Sequence, residues 1–163
     1  MSYDRLTVAE LLDALGERSP SPASGAAIAV TGALAAATAE LAARFAEDAD
    51  AIDRAQALRN KLVVLADDDA KAYQAFMDER SEENRSRTVD VPLAMAESAF
   101  EVVGLGRDLE GKLGSAVAGD AIAAAILARA AVAAAARLVA INARDGDERV
   151  ARAEALAADA GRL

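Results

Sequence analysis

Apolar residues recur at helical spacing through most of the chain. Near its start Val8, Leu11, Leu12 and Leu15 follow that rule. Thr7-Val8-Ala9-Glu10 has the form of a capping box, and Gly16 is a stop signal, so the spacing predicts a short amphipathic helix. Ser19-Pro20-Ser21-Pro22-Ala23-Ser24-Gly25 then breaks the pattern, because each proline biases the serine before it toward extended backbone. From Ala26 to about Ala46 the chain is small or apolar around most of a helical circumference, which predicts a central helix. Asp48-Ala49-Asp50 offers an N-cap to a long helix from about Ala51 to Asp78, with Leu58, Leu62, Leu65, Ala72, Tyr73 and Phe76 on or near its buried side.

Residues 81–90 are polar almost throughout and read as an exposed loop or a frayed end, which would make Pro92 part of the first turn of a fourth helix. Gly104 and Gly106 weaken that helix or mark a close crossing. A second glycine-rich connection covers residues 111–119, and Asp120 reads as the N-cap of an Ala-rich helix over roughly residues 121–143. A charged amphipathic helix over about residues 147–158 ends the pattern. No alternation of Val, Ile and Thr is sustained, so no strand is expected. The expectation is an all-α, single-domain bundle spanning residues 1–163, with about five to six long antiparallel helices. Long Ala-faced helices seldom bury all their apolar surface in one small bundle, which points to a homodimer.

Composition narrows the chemistry. The residue types AVILMFWYC make up 54% of the chain but aromatics only 3%, so the core must come from Ala, Leu, Val and Ile. With 27 acidic against 18 basic residues the net charge is -9, which argues against nonspecific binding to nucleic acid or an anionic membrane. The absence of Cys excludes disulfides, thiolate metal sites and a cysteine nucleophile. The absence of His removes the usual proton carrier near neutral pH, which leaves Asp, Glu, Lys, Arg, Tyr, Ser and backbone groups. No metal-ligand set is evident. The N-terminus lacks the basic-then-apolar layout of a signal peptide. The apolar run Ala121–Ala136, interrupted by Arg129, reads as too short and too charged to span a bilayer, so a cytoplasmic location is expected.

Three segments carry a resemblance. TVAELLDALGERSPSPASGAAIAVTGALAAATAELAARFA is similar to a helix, a Pro-x-Pro-Gly-Gly-Gly-Ser loop and a small-residue helix. LADDDAKAYQAFMDE is similar to a Leu-x-x-x-Asp-Ala-x-Ala-Phe/Tyr segment, with its aspartate at Asp69. VPLAMAESAFEVVGLGRDL and GDAIAAAILARAAVAAAARLVAIN are similar to a C-terminal half in which a Ser-Asp pair opens an Ala-rich helix ending near an asparagine. In this order the three resemble the formimidoyltetrahydrofolate cyclodeaminase and methenyltetrahydrofolate cyclohydrolase family over almost the whole chain.

The resemblance implies an all-helical homodimer acting on a tetrahydrofolate derivative, with no tightly bound cofactor. The reaction is ring closure of a formimino group with loss of ammonia, or hydrolysis of the methenyl bridge. Both pass through a tetrahedral adduct at a carbon between two nitrogens, and both need a group that moves a proton. By motif, Asp69 and Asp120 are the catalytic candidates, and Ser24, Gly25, Lys112 and Asn142 the substrate-binding ones.

Simpler readings stand beside these. Asp69 ends the acidic run Asp67-Asp68-Asp69, whose members point about 100° apart on a helix and cannot all face one site. Asp120 is also a helix cap, Lys112 a solubilising charge, and Tyr73 a core residue. Arg59 reads as a surface charge and Asn142 as a helix-end residue. The family's Gly-Gly-Gly-Ser stands here as Ala23-Ser24-Gly25-Ala26, and Gly119-Asp120 replaces Ser-Asp. These departures keep open an alternative, a noncatalytic helical dimer that retains the fold.

Overall fold

The computed structural model describes residues 3–19, 21–115 and 117–162. Among them the chain is all-α: a short 3-10 turn at Tyr3–Arg5, then α1 (Val8–Gly16), α2 (Ser24–Phe45), α3 (Ala49–Asp78), α4 (Glu82–Glu110), α5 (Ala118–Asn142) and α6 (Glu148–Arg162). Helices α2 to α5 form the core. α2 packs on α3, α4 and α5, α4 packs on α3 and α5, and α6 lies across α4 and α5. α1 lies outside this core and contains no buried residue.

Alanine sets the spacing. The buried face of α2 is almost wholly Ala and Gly, and Leu62, Met95, Leu109 and several valines supply the bulk opposite it. Gly106 is a close crossing: a Cβ there would lie 2.9 Å from the Ala121 carbonyl oxygen and 3.0 Å from the Ala125 nitrogen. Gly104 faces open space, so only the second glycine of the pair is needed for packing.

The cap signals hold at Thr7, whose hydroxyl accepts from the Glu10 N–H at 3.2 Å, and at Asp48, which accepts from the Ala51 N–H at 3.0 Å. Glu47 ends α2 with φ 53, and the bonds from its N–H to the Arg44 carbonyl and from the Asp48 N–H to the Ala43 carbonyl complete a Schellman motif.

Four expectations are corrected. Residues 82–90 are the first turns of α4, not a loop: Ser81 caps the helix by accepting from the Asn84 N–H at 3.2 Å. Pro92 therefore lies buried inside α4 rather than in its first turn. Asp120 is not the cap of α5, because that helix starts at Ala118; as a first-turn acid it still complements the helix dipole. Arg59 is half-buried and donates to the buried carboxylate of Glu40 at 2.7 Å, as Arg44 does at 2.6 Å. In addition α5 outruns the apolar stretch read from the sequence. By length and composition alone, α2 and α5 are each long and apolar enough to cross a membrane; here both are core helices.

Candidate functional site

The acidic run on α3 resolves into three tasks. Asp67 Oδ1 accepts from the backbone N–H of Tyr3 at 2.8 Å, which ties the N-terminal segment to α3. Asp68 pairs with Lys71 at 3.0 Å. Asp69 turns inward to a cavity of about 330 Å³. The roughly 100° step between neighbours, which forbids a shared direction, is what divides them.

The N-terminal segment, α2, α3, α4 and the end of α5 wall this cavity. Tyr3, Ser19, Ser21, Ala23 and Ser24 stand on one side; Asp69, Ala70 and Tyr73 come from α3, Thr88 from α4, and Leu138 and Asn142 from α5. The Tyr3 hydroxyl and Ser21 Oγ, 2.5 Å apart, hold the N-terminal wall together.

Gly25 packs directly against Asp69. A Cβ at residue 25 would stand 2.0 Å from Asp69 Oδ2 and 2.2 Å from its Cγ. Here lack of a side chain is a geometric requirement. No described residue donates a hydrogen bond to the Asp69 carboxyl, and burial raises its pKa from 3.8 to about 6. Such a carboxyl exchanges its proton close to neutral pH, which suits general acid and base work in a chain without histidine.

The start of α2 adds donors. Its cap, Ala23, contributes no side-chain bond, and the first intrahelical bond runs from the Ala27 N–H to the Ala23 carbonyl. The N–H groups of residues 24 to 26 thus have no partner within the helix, and they sit at its positive end beside the cavity. Asn142, the last residue of α5, donates through Nδ2 to the Thr88 carbonyl at 2.7 Å. That commits one end of the amide and leaves Oδ1 as an acceptor at the cavity wall.

Of the candidates read from sequence, Ser24, Asp69 and Asn142 line the cavity and Gly25 abuts it. Asp120 and Lys112 do not join them, and grouping them with Asp69 is corrected. Asp120 precedes Asn142 by 22 residues on the same helix, or about 33 Å at the α-helical rise. Lys112 binds Asp48 at 2.7 Å at the turn between α2 and α3, so it joins two connections at the far end. Tyr73, read as core, is 43% exposed and lines the cavity. Thr88 and Tyr3 escaped the sequence reading. Thr88 lay in the supposed loop, although Thr88, Val89, Pro92, Leu93 and Ala96 follow helical spacing into the next segment.

Comparison with known proteins agrees with this architecture. A family model described as formiminotransferase-cyclodeaminase matches residues 7–160. The crystal structure of formiminotetrahydrofolate cyclodeaminase from Thermotoga maritima superposes with a TM-score of 0.88 at 25% identity, covering 98% of this chain and 93% of that one. No curated protein sequence matches.

Proposed function

The chain belongs to the formiminotransferase-cyclodeaminase family, and from that premise we propose that it is a folate one-carbon enzyme: a cyclodeaminase, or a methenyltetrahydrofolate cyclohydrolase, acting on a tetrahydrofolate derivative. The observation that carries this reading is the Asp69 carboxyl, seated in the cavity against the bare Cα of Gly25, with a pKa near 6. The changed Ala-Ser-Gly-Ala loop keeps the one glycine that this contact needs, which favours a working site over the noncatalytic alternative.

In cyclodeamination the substrate's own nitrogen attacks the formimino carbon and gives an adduct with three nitrogens on that carbon. Asp69 accepts the proton lost by the attacking nitrogen and returns one to the departing amine, so that ammonia leaves as the carbon–nitrogen double bond re-forms. In hydrolysis water attacks the methenyl carbon; Asp69 takes a proton from the water and supplies one to the nitrogen whose bond to carbon breaks. A carboxyl titrating near the working pH serves both directions of transfer. Asn142 Oδ1 accepts from a substrate N–H, and in cyclodeamination the N–H groups of residues 24 to 26 face the imino nitrogen, onto which the attack pushes the C=N electron pair. Asp120 and Lys112 have no role in this scheme.

A homodimer in the cytoplasm belongs to the same proposal. Leu34, Leu41 and Phe45 on α2 and Ile122, Ile126 and Ile141 on α5 are all exposed in the single chain, and a second copy would cover them. Light scattering on the purified protein gives the oligomeric mass.

The enzyme reading is tested by following 5,10-methenyltetrahydrofolate by absorbance, both its hydrolysis and its formation from 5-formiminotetrahydrofolate, with the native chain and Asp69→Asn. Turnover in the native protein that the variant lacks identifies the reaction. A folded native protein that turns over neither substrate overturns the reading.

A further inference from the structure

Beyond Tyr73, α3 presents one more aromatic side chain on the row that begins with Asp69. Phe76 lies seven residues past Asp69, about 10 Å along the helix and on the same face. The Arg85 guanidinium sits over its ring, 4.7 Å from the centroid, and that of Arg80 at 5.6 Å. Arg85 is one turn before Thr88, which walls the cavity from α4, and the Thr88 hydroxyl donates to the Arg85 carbonyl at 2.7 Å.

Neither guanidinium has a carboxylate partner among the described residues, although acids outnumber bases in the chain. Arg144 and Arg149, at the same end of the bundle, are both paired, the first with Glu82 at 2.6 Å and the second with Asp90 at 2.7 Å and Asp147 at 2.6 Å. Arg85 is half-buried and fixed on an aromatic face, so it loses less side-chain freedom on meeting an anion than a free surface arginine does.

We propose that Arg85, with Arg80 beside it across Phe76, binds a carboxylate of the ligand carried about 10 Å from the group that reacts at Asp69. On the folate reading, on which this identity rests, the carboxylate is that of the glutamate arm, and the ring joining arm to pterin lies along Tyr73, which lines the cavity. An acidic protein gains a local attraction for an anion where two guanidinium groups without a carboxylate partner among the described residues share one aromatic ring.

The test is equilibrium binding to the full chain by calorimetry, with N-(4-aminobenzoyl)-L-glutamate and the uncharged 4-aminobenzamide as probes. The native protein binds the charged arm about tenfold more tightly than the amide, and added salt reduces the difference. Arg85→Gln lowers affinity for the arm about tenfold and leaves the amide unchanged, whereas Arg85→Lys keeps part of the preference. The comparison of the two probes on native protein stands even where a variant fails to fold. Equal affinity for both probes, no binding of the arm, or an Arg85→Gln chain that binds the arm as the native one does overturns the site; the two arginines then serve only the C-terminal end of α3. Turnover is not the readout, so charge-dependent binding without turnover would sink the enzyme reading and keep this site.

Discussion

Gly25 and Asp69 meet with no side chain between them, and a methyl group on residue 25 would occupy the space of the carboxylate, 2.0 Å from its Oδ2. Gly25→Ala must therefore turn Asp69 away from the cavity. Alanine is the better helix former, and residue 25 lies in the first turn of α2, so the fold loses little. The expected variant melts within a few degrees of the native protein but loses about 100-fold or more in kcat/KM for the folate substrate, the scale of a misplaced catalytic group. An alanine variant with native turnover would separate the contact from catalysis.

Asp69 also sets a pH dependence whose sign is fixed. Its pKa in the fold, about 6, lies above the ordinary 3.8, so the folded chain holds a proton that the unfolded chain releases between those values. Stability therefore falls as pH rises from about 4 to about 6, and the full cost of the ionised form is present above that range. With the carboxyl only half-buried, Asp69→Asn should be about 1–2 kcal/mol more stable than native at pH 8, with the gain vanishing near pH 4. Urea denaturation at the two pH values checks this, and the same variant should lose about 10²–10⁴-fold in activity. Greater stability joined to lost activity marks a site strained for function.

Asp69, Gly25, Ser24 and Asn142 were singled out in the sequence only through the family resemblance, since their residue types alone read as a solvated acid, a plain turn and a helix end. The structure places Ser24, Asp69 and Asn142 at one cavity with Gly25 against it. The acidic run is instructive: periodicity required its three members to diverge, but only the packed neighbours of each decide which one meets Tyr3, which meets Lys71 and which enters the cavity. Asp120, singled out by the same resemblance, was misgrouped with them. A local motif at a helix start carries no distance, and 22 residues of α5 separate it from the end where the cavity lies. The start of α4 was hidden because its first turns are almost all polar residue types, although Thr88 and Val89 are buried there, and its proline, a common first-turn residue, lies in the interior.

Glu47 offers a separate check on how the α2–α3 turn is built. At φ 53 it holds the left-handed backbone that a glycine adopts without a clash, at the position of a Schellman motif where glycine is commonest. Glu47→Gly should raise stability by about 1 kcal/mol, read as a shift of the urea midpoint with the slope unchanged. Activity should not move, because this turn lies at the Lys112 end of the bundle.

Pro92 explains why Asn142 reaches for Thr88. A residue at 92 would ordinarily donate its N–H to the carbonyl four back, that of Thr88, but proline has none to give, and the freed oxygen is taken by Asn142 Nδ2 at 2.7 Å. The proline in α4 and the asparagine at the end of α5 are thus two halves of one device, which fixes the amide and aims its other oxygen at the cavity. Asn142→Ala alone strands a part-buried carbonyl and should cost about 1–2 kcal/mol. In a Pro92→Ala background the helix supplies its own donor to Thr88, so the same asparagine replacement should cost less than half as much. Chemical denaturation of the four proteins of this cycle gives the coupling directly. Pro92→Ala should also release the Asn142 amide and raise KM more than it lowers kcat, since it loosens a binding group without touching Asp69. A cycle with no coupling would mean that the carbonyl finds water instead, and that Asn142 is held by something other than the proline's missing proton.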